Sequence, residues 1–289
     1  MRSSLGWLLA GLAGLKAVAA ACNGNSALCS RIYSNITQVG AHDSAFVGIL
    51  LPDNQYVSVA KQLDMGVRFL QAQTHKKDGG IEMCHTTCIE LDAGSLSKYL
   101  GPIKTWLDGH PDEVVTLLLT NGDAIPVSQF GNVFSATGLD KYAYTPEGTL
   151  TLDQWPTLQA MIDSGNRLVV FMDYHSDTNS VPYILDEFAY FYETPFDTTD
   201  KNFPQCTLDR PAGAGADGRM GIVNHFLDVD ILGILIPDRI HASTTNSVSS
   251  IVAQANLCLQ NWGRLPNVVL LDWINEGDAI GAQNVLNHL

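Results

Sequence analysis

A succession of short apolar runs, several of them separated by stretches with helical spacing, limits this chain to a few folds. Strand-like runs fall at residues 36–40, 67–74, 114–120, 167–174, 189–193, 220–225 and 268–273, with a further short one at 81–84. Helical stretches fall at 56–65, 95–109 and 247–262. Strands alternating with helices favour a parallel sheet with right-handed crossovers. Residues 22–289 suit one α/β domain within the size range of an eight-stranded barrel. Residues 229–236 are apolar, but their periodicity does not separate strand from helix, so an incomplete barrel fits as well as a regular one.

The first residues predict a compartment. Arg2 supplies a small positive charge, residues 5–18 are largely apolar, and Ala17-Val18-Ala19-Ala20-Ala21 offers small-residue cleavage sites. This is the pattern of a secretory signal peptide over residues 1–21, and the expected location is extracellular. A lipobox reading at Ala19-Ala20-Ala21-Cys22 is the weaker alternative, since its first position lacks a larger aliphatic. All six cysteines lie beyond the leader. An even count in an exported chain points to disulfides, with connectivity open. Cys22–Cys29 and Cys84–Cys88 are local options, and Cys206–Cys258 would then be a long-range staple. The absence of any Cys-x-x-Cys pair argues against zinc. Asn35-Ile36-Thr37 is a glycosylation sequon, relevant in a eukaryotic source. Formal net charge is −14, and it becomes −16 once Arg2 and Lys16 leave with the signal. Such acidity excludes avid nucleic-acid binding and charge-driven docking on anionic membranes. Stable membrane insertion is not expected either, and the expected state is a monomer.

Two histidines stand out because each follows a strand-like run. They lie in Gly40-Ala41-His42-Asp43-Ser44 and in Met83-Cys84-His85-Thr86-Thr87. Paired imidazoles can serve as general base and general acid on a phosphodiester. Taken singly, each is more often a satisfied structural histidine. Asp43 or Ser44 could equally cap a helix. Asp272 sits in the apolar run Val268-Val269-Leu270-Leu271, where a carboxylate needs a partner or must neutralise.

Four blocks carry a family resemblance: Val39-Gly40-Ala41-His42-Asp43-Ser44, Gly66-Val67-Arg68-Phe69-Leu70-Gln71-Ala72-Gln73, Met83-Cys84-His85, and Leu271-Asp272-Trp273-Ile274-Asn275. In this order, spanning residues 36–275, they resemble the X region of phosphatidylinositol-specific phospholipase C and its fungal and bacterial phosphodiesterase relatives. The resemblance implies a (β/α)8 TIM-type barrel, regular or distorted. It implies that His42 deprotonates a hydroxyl that attacks phosphorus, and that His85 protonates the leaving oxygen to give a cyclic phosphodiester. Asp272 would support His42, and Asp43 would support His85. Barrel geometry would bring the strand ends bearing His42, Gln73, His75, Asp173, Glu193, His225 and Asp272 to one rim.

The departures from the family matter as much. Bacterial members carry an arginine where this chain has Gln73, and calcium-dependent members carry acidic ligands where it has Gln71 and Gln73. Amides are poor ligands for hard divalent cations, so neither a catalytic metal nor another cofactor is expected. An amide also brings no positive charge to a phosphate, so either another cation compensates or activity is weak. Gln71, Gln73 and His75 share one strand face, expected to be the barrel interior. Lys76-Lys77-Asp78-Gly79-Gly80 reads as a solvated turn. The expected substrate-binding residues are Gln73, His75, Asp173, Glu193 and His225, with Tyr174 and Trp273 as further wall residues. The basic inositol contacts of bacterial members are replaced near Thr120 and Asp173, so head-group preference does not carry over. Two functions follow: a secreted, metal-independent phosphodiesterase acting on a phospholipid or glycerophosphodiester, or a non-catalytic barrel that binds such head groups or cell-wall partners.

Overall fold

The structure, a computed structural model, describes residues 21–289. The signal peptide expected at 1–21 therefore lies outside the described residues, apart from Ala21. Eight strands form a curled parallel sheet: β1 (Gln38–Ala41), β2 (Phe69–Lys77), β5 (Val115–Thr120), β6 (Leu168–Met172), β7 (Ile184–Asp186), β8 (Phe191–Glu193), β9 (Met220–Asn224) and β12 (Val268–Leu271). Their order is β7-β6-β5-β2-β1-β12-β9-β8, so the last strand closes on the first, and Gln38 lies opposite Val268. Among the described residues no ladder joins β7 to β8. The reason is local. Parallel neighbours need a crossover of roughly a dozen residues, but only the single turn of α5 (Glu187–Tyr190) separates these two strands. The barrel is thus the distorted form, open at one seam.

Most expected strands and helices appear close to their predicted positions. The helices are α1 (Val59–Asp64), α2 (Leu96–Gly109), α3 (Val127–Thr137), α4 (Leu158–Ser164), α6 (Ala242–Thr245), α7 (Val248–Trp262) and α8 (Ala279–Leu286). Serine caps α1, α2 and α7: Ser58, Ser95 and Ser247 each accept a backbone N–H of the first turn. The ambiguous stretch 229–236 forms an antiparallel hairpin of β10 (Asp228–Ile231) and β11 (Ile234–Pro237). Beyond the barrel, β2 runs on and pairs with β3 (Gly80–His85), which pairs in turn with β4 (Leu91–Ser95). Asp78-Gly79 turns the β2–β3 hairpin with both residues at positive φ, the demand of a tight two-residue loop. Among the described residues no helix is long and apolar enough to cross a membrane.

Strand alternation sorts the core into two layers. Leu70, Ala72, Leu117, Leu119, Val170 and Leu271 pack outward against helices. Phe69, Leu118, Phe171, Phe191, Ile222 and Leu270 fill the interior. Gly40 faces the same interior, and a Cβ there would meet Leu270 Cδ2 at 2.6 Å. At the N-terminal end Tyr33 enters the barrel, its hydroxyl 2.8 Å from Thr116 Oγ1 and its ring packed on Trp155. Toward the C-terminal ends the inward positions turn polar: Gln71, Gln73, Asp173, Glu193 and Asn224 line a cavity of about 550 Å³. All six cysteines pair, as Cys22–Cys29, Cys84–Cys88 and Cys206–Cys258.

Candidate active site

The turn after β1 is fixed by buried amides. Ser44 donates from both N and Oγ to the Gln71 carbonyl, and Asp43 N donates to Gln71 Oε1. Gln55 Nε2 donates to the carbonyls of His42 and Leu271, joining the turn to β12. Asp43 is held at φ +43°, a left-handed conformation that a surrounding hydrogen-bond network must over-determine. No helix starts at this point, and the next, α1, is capped by Ser58. The helix-cap alternative for Asp43 and Ser44 is therefore corrected: both are buried, Asp43 lining the cavity and Ser44 bonded to Gln71 and Tyr99.

His42 is gripped from two sides. Its Nδ1 lies 2.9 Å from Asp272 Oδ1, which also accepts from Asn54 Nδ2 at 3.1 Å. Its Nε2 lies 3.5 Å from Asp43 Oδ2, and its ring stacks on Phe226 at 3.7 Å between centroids. His85 ends β3 and brings Nε2 to 3.3 Å from the same Asp43 oxygen. Phe46 packs edge-on against the His85 ring, and the Cys84–Cys88 disulfide ties the turn that follows. One carboxylate oxygen thus stands between the Nε2 atoms of both imidazoles. Burial alone would lower the His42 pKa, but Asp43 and Asp272 outweigh it and raise it to about 9. His85 is raised too, its burial overcome by Asp43. Burial would push Asp43 up, yet the two histidines hold it below the ordinary carboxyl value. For Asp272 burial prevails over His42, and its pKa is raised.

Of the expected substrate contacts, Gln73, His75, Asp173 and Glu193 line the cavity and His225 does not. Gln73 lines the cavity, but its Nε2 donates to Asp43 Oδ2 at 2.9 Å and its Oε1 accepts Thr86 N. It braces the histidine bridge, and one of the two N–H groups of its amide is taken by Asp43. His75 lies beyond the barrel, on the hairpin extension of β2, at the cavity edge with Nδ1 3.2 Å from Asp123 Oδ2. The placement of His225 in the cavity is corrected. It points outward from the end of β9, fully buried, stacked on Phe203 and bonded among Gln254, Thr245 and Ser250. A one-residue step along a strand reverses the face, so Asn224 takes the inward position instead. Trp273 packs outside the cavity beneath the Arg239 guanidinium.

Asp173 and Glu193 do line the cavity. Asp173 Oδ1 accepts the backbone N–H groups of Asn121 and Tyr174, while burial raises its pKa to about 6. Glu193 is ion-paired to Arg210 at 2.5 Å and accepts from Asn224 Nδ2. Arg210 lines the same cavity and escaped sequence reasoning, as did Asn54, Glu187 and Asp228. Nothing in Asp209-Arg210-Pro211 distinguishes that arginine from any loop cation, since only the path of the long β8–β9 connection brings it inward. The preceding-strand cue that picked Glu193 would not have found it.

Comparison with known proteins gives the family and the fold. The family model PI-PLC X 1 matches residues 28–287. A PI-PLC X domain-containing protein 1 from Arthroderma benhamiae is 55% identical over 273 residues, covering 93% of this chain and 90% of that protein. A second protein of that fungus, described as an uncharacterized secreted protein, is 44% identical, and the match covers 90% of this chain and 62% of its length. Among solved structures, the phosphatidylinositol-specific phospholipase C of Listeria monocytogenes superposes with a TM-score of 0.60 at 16% identity, over 90% of this chain and 95% of that one. The Staphylococcus aureus enzyme gives 0.58 at 15% identity, over 89% and 93%. At such identities these two structures bear on the fold alone.

Proposed function

The chain belongs to the PI-PLC X family, and on that premise we propose that it is a secreted phosphodiesterase of phospholipase C type. The observation that carries this reading is the Asp43 carboxylate oxygen, 3.5 Å from His42 Nε2 and 3.3 Å from His85 Nε2 at the mouth of the barrel. A phosphodiester arriving there meets a base on one side and an acid on the other. Neutral His42 takes the proton of a hydroxyl adjacent to the phosphoester, and that oxygen forms a new bond to phosphorus. The bond from phosphorus to the leaving alcohol breaks, and His85 Nε2 delivers a proton to the departing oxygen. The products are a five-membered cyclic phosphodiester and a free alcohol. Asp272 and Asp43 hold the rings in place and stabilise their cationic forms. Arg210 is the guanidinium that lines the cavity, where it is paired with Glu193. The substrate class is a phospholipid or glycerophosphodiester bearing such a hydroxyl. Export is supported by the leader-like residues 1–21 and by the description of the 44% identical relative as secreted.

Phosphorus NMR of the oxidised protein, with chelator present and a panel of glycerophospholipids and glycerophosphodiesters, tests this. A cyclic phosphate resonance that His42→Ala abolishes is the expected result. A linear phosphomonoester as first product would mean attack by water and overturn the mechanism. No turnover by a folded protein would transfer the assignment to a head-group-binding barrel.

A further inference from the structure

Six carboxylates line the catalytic cavity, and the chain answers four of them. Asp43 lies between the two histidines, Glu193 is paired with Arg210, and Asp173 accepts two backbone N–H groups. Glu187 is fully buried, and no N–H or O–H donor reaches either of its oxygens. Burial and the neighbouring Glu193 raise its pKa well above the ordinary carboxyl value, so it is the neutral acid of that pair. Asp197 and Asp228 are left over. Among the described residues neither of these carboxylates has a hydrogen bond or an ion pair.

These two residues come from different loops and are held together. Asp228 N donates to the Thr198 carbonyl at 2.8 Å, which carries the adjacent Asp197 to the start of β10. Asp228 is only 9% exposed, yet it lines the cavity. Burial and Asp272 push its pKa up to about 7, and His42 opposes them only in part. A buried carboxylate without a partner is costly, and an arriving cation removes that cost. The chain has no cation to spare for it. Arg210 is committed to Glu193, and His42 to Asp43 and Asp272. Among the described residues no three His, Cys, Asp or Glu side chains are grouped to hold a metal ion. Two carboxylates with open acceptor positions match a small organic cation that brings its own N–H donors.

We propose that Asp197 and Asp228 receive a primary ammonium group of the substrate, so that the preferred diester is a zwitterion rather than one with only neutral, hydroxylated arms. The inference rests on the phospholipase C reading and names the head-group charge taken by that same site. The ammonium makes and breaks no bond; it docks at the two carboxylates while the hydroxyl attacks phosphorus. Turnover of glycerophosphoethanolamine and of its ethylene glycol counterpart provides the test. The two differ only in an ammonium for a hydroxyl, and both carry the glycerol hydroxyl that closes the ring. With chelator present, kcat/KM is expected to be about 10–100-fold higher for the amine. Asp228→Asn keeps the shape and should bring that ratio close to unity, mainly through KM. Asp197→Asn, at an exposed residue that puts no fold at risk, should lower it as well. Calorimetric binding of ethanolamine phosphate and ethylene glycol phosphate should give the same ranking without turnover.

Equal kcat/KM for the two diesters, or a ratio that both variants leave intact, would overturn the proposal. So would a preference seen only without chelator, since a divalent cation would then bridge the two carboxylates. Tighter binding of ethanolamine phosphate with no turnover of any diester would sink the enzymatic reading and leave the ammonium site standing. Turnover without preference would sink the ammonium site alone.

Discussion

Asp43 is one buried carboxylate serving two imidazoles, and its influence is measurable without any substrate. The His42 pKa is raised from 6.5 to about 9, so protonated His42 stabilises the fold in full below about pH 6.5. That contribution is lost as pH rises through 9, and a shift of this size corresponds to ~3 kcal/mol. Denaturant unfolding should therefore show falling stability between pH 6.5 and 9. Asp43→Asn removes the first of the attractions that raise His42 and should make the decline shallower. An unchanged slope in the variant would mean that Asp272 alone sets the protonation of His42. In turnover assays the same variant should lose about 10²–10⁴-fold in rate, the usual worth of positioned acid–base groups. The wild-type rate should climb above neutral pH, because the base acts only when neutral.

Elements differ in how firmly they present these residues. His42 comes from the end of a barrel strand, whereas His85 comes from the β2–β3–β4 extension that stands outside the curled parallel sheet. That extension is anchored by the Asp78-Gly79 turn, by Gln73 Oε1 on Thr86 N, and by a disulfide with a sequence separation of 4. Loop-closure entropy assigns that short bridge about 2 kcal/mol and Cys206–Cys258, with a separation of 52, about 4 kcal/mol. Replacing each pair by serine should reverse the ranking for activity. Urea unfolding should show the larger loss for the Cys206/Cys258 variant, and turnover the larger loss for the Cys84/Cys88 variant. If both variants keep full activity, the short bridge does not hold His85.

For the molecule as a whole, the segment that leads into β1 and the one that follows α8 meet and lock the barrel. Buried Asn287, just past α8, accepts Thr37 N and donates to the Thr37 carbonyl, which leads into β1, and its own carbonyl accepts from Arg31. Gln283 in α8 takes Val39 N. Asn287→Ala leaves buried backbone groups of Thr37 without partners, and about 1–3 kcal/mol of stability should go with them. Equilibrium unfolding would show it. A change within a few tenths of a kcal/mol would mean that the clasp is replaced by water. Among the described residues no ladder closes the seam between β7 and β8, and Glu187, from the turn that spans it, lines the cavity.

Several features were readable from sequence by themselves: the parallel α/β barrel, its strand-end histidines, the carboxylates Asp43 and Asp272, and the even cysteine count. The strand–helix alternation, the strand-end histidines and the cysteine count rest on short-range pattern, whereas the barrel and the roles of Asp43 and Asp272 are what the ordered family motifs imply. Tertiary structure decided the rest. Which way His225 points depends on a single residue of register at the end of β9, where Asn224 faces in. Whether Gln73 is free for a phosphate depends on Asp43 and Thr86, brought to it from other segments. Arg210 reaches the cavity only through the course of the β8–β9 connection. Such features follow from long-range packing and hydrogen-bond satisfaction, which no window of the sequence contains.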